Sequence, residues 1–298
     1  MCPDSPAGGA LRLATANTGA ATATATATAR IGLRPLAELP AAALRPLRGV
    51  LTDIDDTLTR DGAIEPAALA ALQALADAGV PVLPITGRPA GWSRPFVLQW
   101  PVPAIVAENG GVLLQREGVG DGSGSGVAQH FTVDEATRAA RHARLQACAA
   151  AVLAQVPGAR LAQDSPGRLT DIAVDHSEFT HLDAAQIAAV LAVMRAHGLT
   201  ATVSSIHING WLGAHSKPSG AAWAVTQVLG QAFVPAQWVY VGDSSNDQAM
   251  FATVPLSVGV ANIARFVPQL RVLPAYVTPG ERGQGLAQLA AALLAARG

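Results

Sequence analysis

Two acidic residues follow an apolar run near position 50 and are the residues of this chain best placed to do chemistry. Residues 50–59 read Val-Leu-Thr-Asp-Ile-Asp-Asp-Thr-Leu-Thr, so that Asp53 and Asp55 are two positions apart at the end of a predicted strand. This spacing lets both side chains reach one ligand before the chain turns away. Two close carboxylates repel each other and attract a divalent cation. The stretch therefore predicts a cation-assisted site, while a polar loop after a buried strand is the alternative that it leaves open.

Further polar residues follow other predicted strands. Thr86 and Asp243 each follow an apolar run, and Lys217 lies between them in the sequence, just before a predicted helix. In one parallel sheet, the residues that follow the strands gather at the same edge, where ligands of open α/β sheets bind. Several acids, one cation and one hydroxyl around a metal ion suit phosphoryl transfer. In that chemistry Asp53 attacks phosphorus, Thr86 and Lys217 hold the phosphate oxygens, and Asp55 handles the proton.

The elements that must position these residues alternate between strand and helix. In the first part of the chain, the apolar periodicity predicts strands at 50–53, 80–85 and 104–107 and a helix at 66–78. The same alternation resumes after residue 218, with strands predicted at 238–241, 256–260 and 275–278 and helices at 219–229, from 262 and at the C-terminus. Such alternation is typical of a parallel sheet with helices on both faces. We therefore expect an α/β fold with a Rossmann-like, doubly wound parallel sheet.

The pattern between these two parts is different. Asp134 and Asp183 are predicted to cap helices that end near 155 and 197, and each helix precedes two strand-like segments, at 159–162 and 169–175, then at 200–205 and 206–209. A helix–strand–strand unit that occurs twice predicts an α+β cap domain inserted into the sheet domain. We place the cap at 128–206 and the catalytic core at 47–127 and 207–298.

Two segments are predicted to carry no chemistry. Residues 1–46 are predicted to be a low-complexity extension. Ala and Thr alternate from 20 to 29, and in that tract no side chain is large enough to anchor a core. We expect it to be disordered or loosely packed. The Gly/Ser-rich residues 118–126 are expected to form a flexible turn at the tip of a hairpin.

Composition excludes several classes of function. The chain has 298 residues, half of them hydrophobic, with a formal net charge of −1. Nothing therefore indicates a nucleic-acid partner or a membrane surface, and no apolar run reaches the roughly 18 residues of a membrane span. Cys2 and Cys148 are too few for a disulfide framework. We expect a cytoplasmic protein, as a monomer or weak homodimer, whose partner is a small phosphorylated molecule.

Four ordered motifs resemble those of the haloacid dehalogenase-like superfamily. They are Asp53-Ile54-Asp55-Asp56-Thr57, Thr86-Gly87-Arg88, Lys217, and Gly242-Asp243-Ser244-Ser245-Asn246-Asp247. The wide gap between the second and third motifs, which holds the cap, resembles the IIB subgroup. This subgroup includes Cof-like phosphatases, sucrose-phosphate and mannosyl-phosphoglycerate phosphatases, and phosphomannomutases. Glu108-Asn109-Gly110-Gly111 is also similar to that subgroup.

The resemblance implies a role for each matched residue. Asp53 would be the nucleophile and a Mg²⁺ ligand, and Asp55 the general acid and base with its carbonyl oxygen on the metal. Thr86, Gly87 and Lys217 would bind phosphate. Asp243 would ligate Mg²⁺, with Asn246 and Asp247 in support. The chain departs from the family at Asp56, where many relatives carry Gly, and in the residues that lead to Lys217.

The sequence gives less evidence about which residues would contact the rest of the substrate. His207, Asn209 and Trp211 are of the types that grip sugars, and packing at the domain junction is an equal alternative for His207 and Trp211. Arg88 either touches substrate or pairs with an acid of the core. Asn109 is a further candidate for substrate binding.

These observations together predict a magnesium-dependent phosphatase. Its substrate would be a small phosphorylated metabolite, expected to be a sugar phosphate, and the reaction would pass through an aspartyl-phosphate on Asp53. A phosphomutase or phosphotransferase would use the same motif residues. A sugar-phosphate-binding protein without catalytic activity is the third alternative, and the intact pair Asp53 and Asp55 argues against it.

Overall fold

The computed structural model describes residues 33–117 and 126–298. Its strands, in chain order, are β1 Arg34–Pro35, β2 Gly49–Thr52, β3 Thr59–Arg60, β4 Ala63–Ile64, β5 Val82–Pro84, β6 Ala104–Ala107, β7 Val112–Arg116, β8 Val127–Phe131, β9 Arg160–Leu161, β10 Asp171–Asp175, β11 Thr200–Val203, β12 His207–Trp211, β13 Trp238–Gly242, β14 Leu256–Gly259 and β15 Tyr276–Val277. Its α-helices are α1 Ala41–Leu44, α2 Pro66–Asp77, α3 Ala90–Gln99, α4 Glu135–Gln155, α5 Ala184–Ala196, α6 Lys217–Leu229, α7 Gln248–Thr253 and α8 Arg282–Arg297. Short 3₁₀ turns lie at Leu36–Glu38, Glu108–Gly110, Ser165–Gly167, Pro235–Gln237, Ser245–Asp247, Ala261–Arg265 and Val267–Gln269.

Six parallel strands form the central sheet in the order β1-β15-β14-β13-β2-β5. Every residue of β2 and β13 is buried, as is expected for central strands that helices cover on both faces. Val50 packs into one core with α2 and α8, whereas Leu51 packs into a second core with α6 and α7. The predicted Rossmann-like, doubly wound sheet is therefore confirmed.

A second, antiparallel sheet has the order β11-β12-β10-β9. Helices α4 and α5 pack on it around a separate apolar cluster that includes Cys148, Val152, Val190 and Met194. The chain order α4-β9-β10-α5-β11-β12 is the predicted helix–strand–strand unit, twice. We call residues 135–211, which contain these six elements and the loops between them, the cap, and the rest of the described chain the core.

Strand pairing places the ends of the cap a few residues from the expected limits of 128 and 206. Strand β8 pairs with β7 and so extends the core hairpin β6-β7-β8 to Phe131. Strand β12 pairs with both β10 and β11, so that residues 207–211 belong to the cap sheet. Hydrogen bonding along these strands, rather than the loop composition used for the expectation, sets both limits.

The structure also differs from the expected N-terminal extension 1–46. Arg34–Pro35 pairs with Tyr276–Val277, and Leu36 and Leu44 are buried in the core, so residues 33–46 are packed where loose packing was predicted. The Ala/Thr tract and residues 118–125 of the predicted flexible turn lie outside the described residues.

Three smaller differences concern helices. Helix α3 was not predicted, because Pro95 lies inside it. The expected helix from Asn262 is instead two 3₁₀ turns, because Pro268 lacks the N–H that a continuing helix needs. Lys217 was expected just before its helix, but it is the first residue of α6, because Ser216 is the N-cap. In the described part of the chain, no helix has both the length and the apolar character that crossing a membrane requires.

Candidate active site

The polar residues that follow the parallel strands meet at one edge of the central sheet. Asp53 directly follows β2, Asp243 directly follows β13, and Thr86 lies just beyond β5. The backbone N–H of Asp53 donates to the Val241 carbonyl at 2.8 Å, which extends the pairing of the two central strands to the acid itself. Parallel pairing thus brings Asp53 and Asp243 together, although they are 190 positions apart in the sequence.

Lys217 lies between two acids at this edge. Its Nζ donates to Asp53 Oδ1 at 2.5 Å and to Asp247 Oδ1 at 2.7 Å. All three side chains are buried, with exposed fractions of 2% for Lys217, 5% for Asp53 and 0% for Asp247. The first turn of α6, fixed by the Ser216 capping box, delivers the lysine to this position.

Asp247 organises the loop after β13. Its Oδ1 also accepts the Tyr240 hydroxyl, and its Oδ2 accepts the backbone N–H groups of Asp243 at 2.9 Å and Ser244 at 3.1 Å. A Cβ at Gly242 would lie 2.5 Å from Asp247 Oδ2, so only glycine allows this close approach. The four donors leave Asp247 better suited to supporting a metal ligand than to being one.

Asp243 has one oxygen free for a cation. Its Oδ2 accepts from Asn262 Nδ2 at 3.2 Å and from Arg265 at 3.3 Å. Its Oδ1 is buried and has no hydrogen-bond partner among the described residues. An unpaired buried carboxylate oxygen is costly unless a ligand satisfies it. Carboxylate oxygens of Asp53, Asp243 and Asp247 lie within 4.8 Å of one another, so that Asp53 and Asp243 offer hard oxygen donors for a divalent cation with Asp247 beside them.

The electrostatics of the cluster favour such a cation. Burial raises the pKa of Asp53 to about 8, although Lys217 opposes the shift. Burial and the neighbouring acids Asp53 and Asp247 also raise the pKa of Asp243 well above its usual value. Burial lowers the pKa of Lys217, but Asp247 and Asp53 outweigh this effect and raise it above the ordinary value. A bound divalent ion would offset the repulsion between these acids, which contributes to the raised pKa values of Asp53 and Asp243, and would favour their ionised forms.

Asp55 is held by Arg88. The guanidinium Nε lies 2.9 Å from Asp55 Oδ1, and the other two nitrogens bind the cap acids Asp164, at 3.1 Å, and Glu178, at 2.7 Å. Of the two alternatives for Arg88, the structure shows pairing with acids, and one of these acids is itself a predicted catalytic residue. The same arginine therefore joins the core to the cap.

The predicted phosphate-binding and amide residues meet around Gly87. Thr86 is fully buried, and its Oγ1 accepts the N–H of Arg88 at 2.9 Å. A Cβ at Gly87 would lie 3.1 Å from Asn209 Oδ1 and 3.3 Å from Asn109 Nδ2. Asn209 Nδ2 donates to the Gly87 carbonyl at 3.2 Å and to Asp171 at 3.0 Å, so Asn209 docks the cap onto this loop.

The remaining predicted residues do not contact Lys217 through a hydrogen bond among the described residues. His207 Nε2 pairs with Glu178 Oε2 at 2.8 Å. Trp211 is buried, and its Nε1 donates to the His215 carbonyl at 2.9 Å, in agreement with the packing alternative. Asn246 Oδ1 accepts from Ser244 Oγ at 2.9 Å.

Asp56, at the position where the motif resemblance favours Gly, has a left-handed backbone with φ of 56°. Aspartate tolerates this conformation better than most residues. Its carboxylate accepts from Arg265 and from Arg282, each at 2.7 Å. Burial opposes ionisation, but these two arginines lower the pKa of Asp56 below its usual value.

A cleft of about 290 Å³ lies between the core and the cap. Core residues Asp55, Asp56 and Arg88 line one side, and cap residues Glu178 and Ser205 line the other. The cleft thus reaches the predicted acid–base residue, while Asp53 and Asp243 are not among the residues that line it.

Sequence reasoning missed several residues of this region, among them Tyr240, Asn262, Arg265 and Glu178. Asn262 follows β14, so the rule that strand ends share one edge could have identified it. Tyr240 is inside an apolar strand and Glu178 is in a cap loop, and no local pattern marks either of them.

Comparison with known proteins finds one matching family model and several structures of similar fold. Residues 50–120 match the family model of haloacid dehalogenase-like hydrolases. None of the curated proteins matches the chain. Among solved structures, protein 0175 of Thermoplasma acidophilum is 15% identical, with a TM-score of 0.63 over 83% of this chain and 98% of its own.

Two further structures are similar over nearly their whole length. The sucrose-phosphatase of Synechocystis, solved with sucrose and phosphate, is 16% identical with a TM-score of 0.59, over 83% of this chain and 98% of its own. A haloacid dehalogenase-like hydrolase of Bacteroides thetaiotaomicron is 14% identical with a TM-score of 0.57, over 82% of this chain and 98% of its own. The resemblance predicted from the four motifs is thereby confirmed, and at these identities the structural likeness concerns the fold.

Proposed function

We propose that this chain, a haloacid dehalogenase-like hydrolase by family match and by fold, is a magnesium-dependent phosphatase of a small phosphorylated metabolite, in particular a sugar phosphate. One observation carries the proposal. Asp53 lies against Lys217 at 2.5 Å, within 4.8 Å of a buried oxygen cluster that includes Asp243. A carboxylate beside a fixed ammonium and a cation site is the arrangement that nucleophilic attack on a phosphate ester requires.

The chain's own residues have distinct parts in the proposed reaction. Asp53 attacks phosphorus, and the bond from phosphorus to the ester oxygen breaks as the aspartyl-phosphate forms. Asp55 donates a proton to the departing oxygen and then takes one from the water that cleaves the aspartyl-phosphate. Lys217 and Thr86 bind the phosphate oxygens, and Arg88 holds Asp55 in place through its 2.9 Å contact.

Asp53 and Asp243 would hold the Mg²⁺ ion, with Asn246 and Asp247 supporting the loop that carries Asp243. When bound, the ion supplies positive charge that offsets the charge of the phosphate. Asn262 and Arg265 orient Asp243 by binding its Oδ2, which leaves Oδ1 for the metal. We propose that the cap covers the reaction and contacts the rest of the substrate.

The experiment measures phosphate release from a panel of sugar and other metabolite phosphates, with and without Mg²⁺. Wild type is compared with Asp53→Asn and with Asp77→Asn, which removes an exposed acid of α2. We expect Mg²⁺-dependent release from wild type and Asp77→Asn, and a loss of about a thousandfold or more in Asp53→Asn. Near wild-type turnover by Asp53→Asn would overturn the mechanism.

The same panel separates the two alternatives. Transfer of phosphate to an added sugar, in place of release, would identify a phosphotransferase that shares the Asp53 chemistry. Binding of a sugar phosphate without turnover under any metal would identify a binding protein and would contradict the proposed hydrolysis.

A further inference from the structure

The cap loop after β10 is held rigidly over the cleft. Asp175, which is 2% exposed, accepts four successive backbone N–H groups. Its Oδ1 accepts from Ser177 at 3.1 Å and from Glu178 at 2.9 Å, and its Oδ2 accepts from Phe179 and Thr180, each at 2.9 Å. A loop with its amides saturated in this way fixes the side chains that it presents to the cleft.

Glu178 is the charged side chain that this loop presents. Its carboxylate is 19% exposed and binds Arg88 at 2.7 Å on one side and His207 at 2.8 Å on the other. Burial opposes ionisation, but the hydrogen bonds from His207 and Arg88 lower the pKa of Glu178 to about 2. The cap side of the cleft therefore carries a fixed negative charge at neutral pH.

The arginines of the cleft are already committed to carboxylates. Arg88 faces Asp55, Asp164 and Glu178, while Arg265 and Arg282 share Asp56 on the core side. Among the described residues that line the cleft, none is a basic side chain without an acidic partner. A second anionic group on a substrate would meet Glu178 with no cation to receive it.

Neutral hydrogen-bonding groups find better partners there. Ser205 lines the cleft, is 6% exposed, and its Oγ has no hydrogen-bond partner among the described residues. Phe179 also lines the cleft and is 63% exposed. A carboxylate, a free hydroxyl and an open aromatic face together suit the hydroxyls and the C–H face of a polyol or sugar ring.

From these contacts we infer that Glu178 is a specificity-determining residue, which accepts an uncharged polyhydroxylated leaving group and rejects phosphate esters that carry a second anionic group. The inference rests on the proposed function for the position of the reacting phosphate. Rejection follows from the repulsion between Glu178 and a second anionic group of the substrate, because the basic side chains that line the cleft already have acidic partners.

The test compares esters that differ by one group. Glucose 1-phosphate and glucuronic acid 1-phosphate differ only in a hydroxymethyl against a carboxylate, and glycerol 3-phosphate and 3-phosphoglycerate form a smaller matched pair. We expect wild type to favour the uncharged member in kcat/KM by about tenfold or more. Glu178→Gln, which keeps the shape and removes the charge, should lower that ratio by about tenfold, through KM for the anionic ester.

The matched control is Glu135→Gln, which removes an exposed acid from the first turn of α4. It should leave the ratio unchanged. A preference for the anionic esters in wild type, or a ratio that Glu178→Gln does not change, would overturn the inference.

Binding measurements keep this inference separate from the proposed function. Calorimetry on Asp53→Asn, with and without Glu178→Gln, measures the affinity for the same esters in the absence of turnover. If binding is selective and depends on Glu178 but wild type hydrolyses none of the esters, the result would support the inference and contradict the proposed phosphatase activity. Failure to bind either uncharged ester would overturn the inference itself.

Discussion

Lys217 Nζ lies 2.7 Å from Asp247 Oδ1, and the same carboxylate holds the backbone of the loop that carries Asp243. One buried acid thus fixes both the lysine proposed to bind phosphate and the proposed metal ligand. Removing Asp247 from this buried cluster leaves Lys217 with Asp53 as its one remaining acidic partner and removes the acceptor of the loop N–H groups.

Asp247→Asn should therefore lower the free energy of unfolding by about 3 kcal/mol, measured by urea denaturation. Tyr240→Phe removes only the hydroxyl donor to the same carboxylate and should cost about 1 kcal/mol. Equal losses in the two variants would contradict a structural role for the Lys217–Asp247 pair.

Mg²⁺ should raise the melting temperature of wild type by several degrees, because it binds the folded state only. Asp243→Asn should lose this rise, since it removes the buried free oxygen. Without metal this variant should be at least as stable as wild type, because it removes the cost of burying an acid whose pKa the fold raises. Differential scanning fluorimetry with Asp77→Asn as control measures both effects, and an undiminished Mg²⁺ shift in Asp243→Asn would exclude this oxygen as a ligand.

Glu108 joins the core to the cap. The fully buried carboxylate accepts the N–H groups of Ala90 and Leu169 at 3.0 Å, and the N–H and Oγ1 of Thr170 at 2.5 and 2.6 Å. Glu108→Gln turns one acceptor oxygen into a donor that faces these N–H groups.

Glu108→Gln should cost about 2 kcal/mol of unfolding free energy and increase proteolysis at the cap boundary. Thr170→Val, which removes a single donor, should cost about 1 kcal/mol. Limited proteolysis beside urea denaturation tests the prediction, which an unchanged cleavage rate at the boundary would refute.

Gly110 lies against the start of α6. It has φ of +105°, and a Cβ there would collide with the Ser216 carbonyl, next to Lys217. Gly110→Ala should therefore displace Lys217 and cost about 3 kcal/mol or more. Gly62→Ala has a similar positive φ of +77° with open space around it, and should cost only about 1 kcal/mol. Comparable losses by urea denaturation would mean that the close approach is unimportant.

His215 gives the fold a pH dependence. It is 9% exposed, both ring nitrogens lack partners among the described residues, and burial together with Arg141 lowers its pKa to about 4. The unfolded chain binds a proton near pH 6.5 and the folded chain does not, so stability falls as pH drops from about 6.5 toward 4.

Between about pH 7.5 and pH 5, wild type should lose about 2 kcal/mol more than His215→Phe, which can still stack on Trp211. Urea denaturation at the two pH values measures the difference. Substituting the exposed His181 by Asn should leave the wild-type slope intact. A slope unchanged in His215→Phe would assign the pH dependence to other groups.

Local sequence rules were sufficient to predict those features that depend only on residues close together in the sequence. Asp134 and Asp183 cap α4 and α5 as predicted, because each side chain accepts an N–H within its own first turn. The meeting of Asp53, Asp243 and Lys217 was predictable because parallel strands align their ends at one edge. Two-residue spacing and strand order carry that information without any knowledge of packing.

The contacts of Arg88 could not be predicted in the same way. Its partners Asp55, Asp164 and Glu178 lie 33, 76 and 90 positions away, in the core and in two cap loops. No periodic pattern encodes which loops the cap brings to the cleft. The membership of β12 in the cap sheet has a related cause, since β12 is assigned by its partners β10 and β11 and not by its own composition.

Strand β1 has a consequence for the order in which the chain can fold. Arg34 and Ala275, which share a hydrogen bond at this edge of the sheet, are 241 residues apart. During synthesis from the N-terminus, β1 therefore cannot pair with β15 until the residues between the two strands have left the ribosome. Until then the core that buries Leu36 and Leu44 is incomplete, and transiently exposed apolar residues of this kind favour aggregation during synthesis.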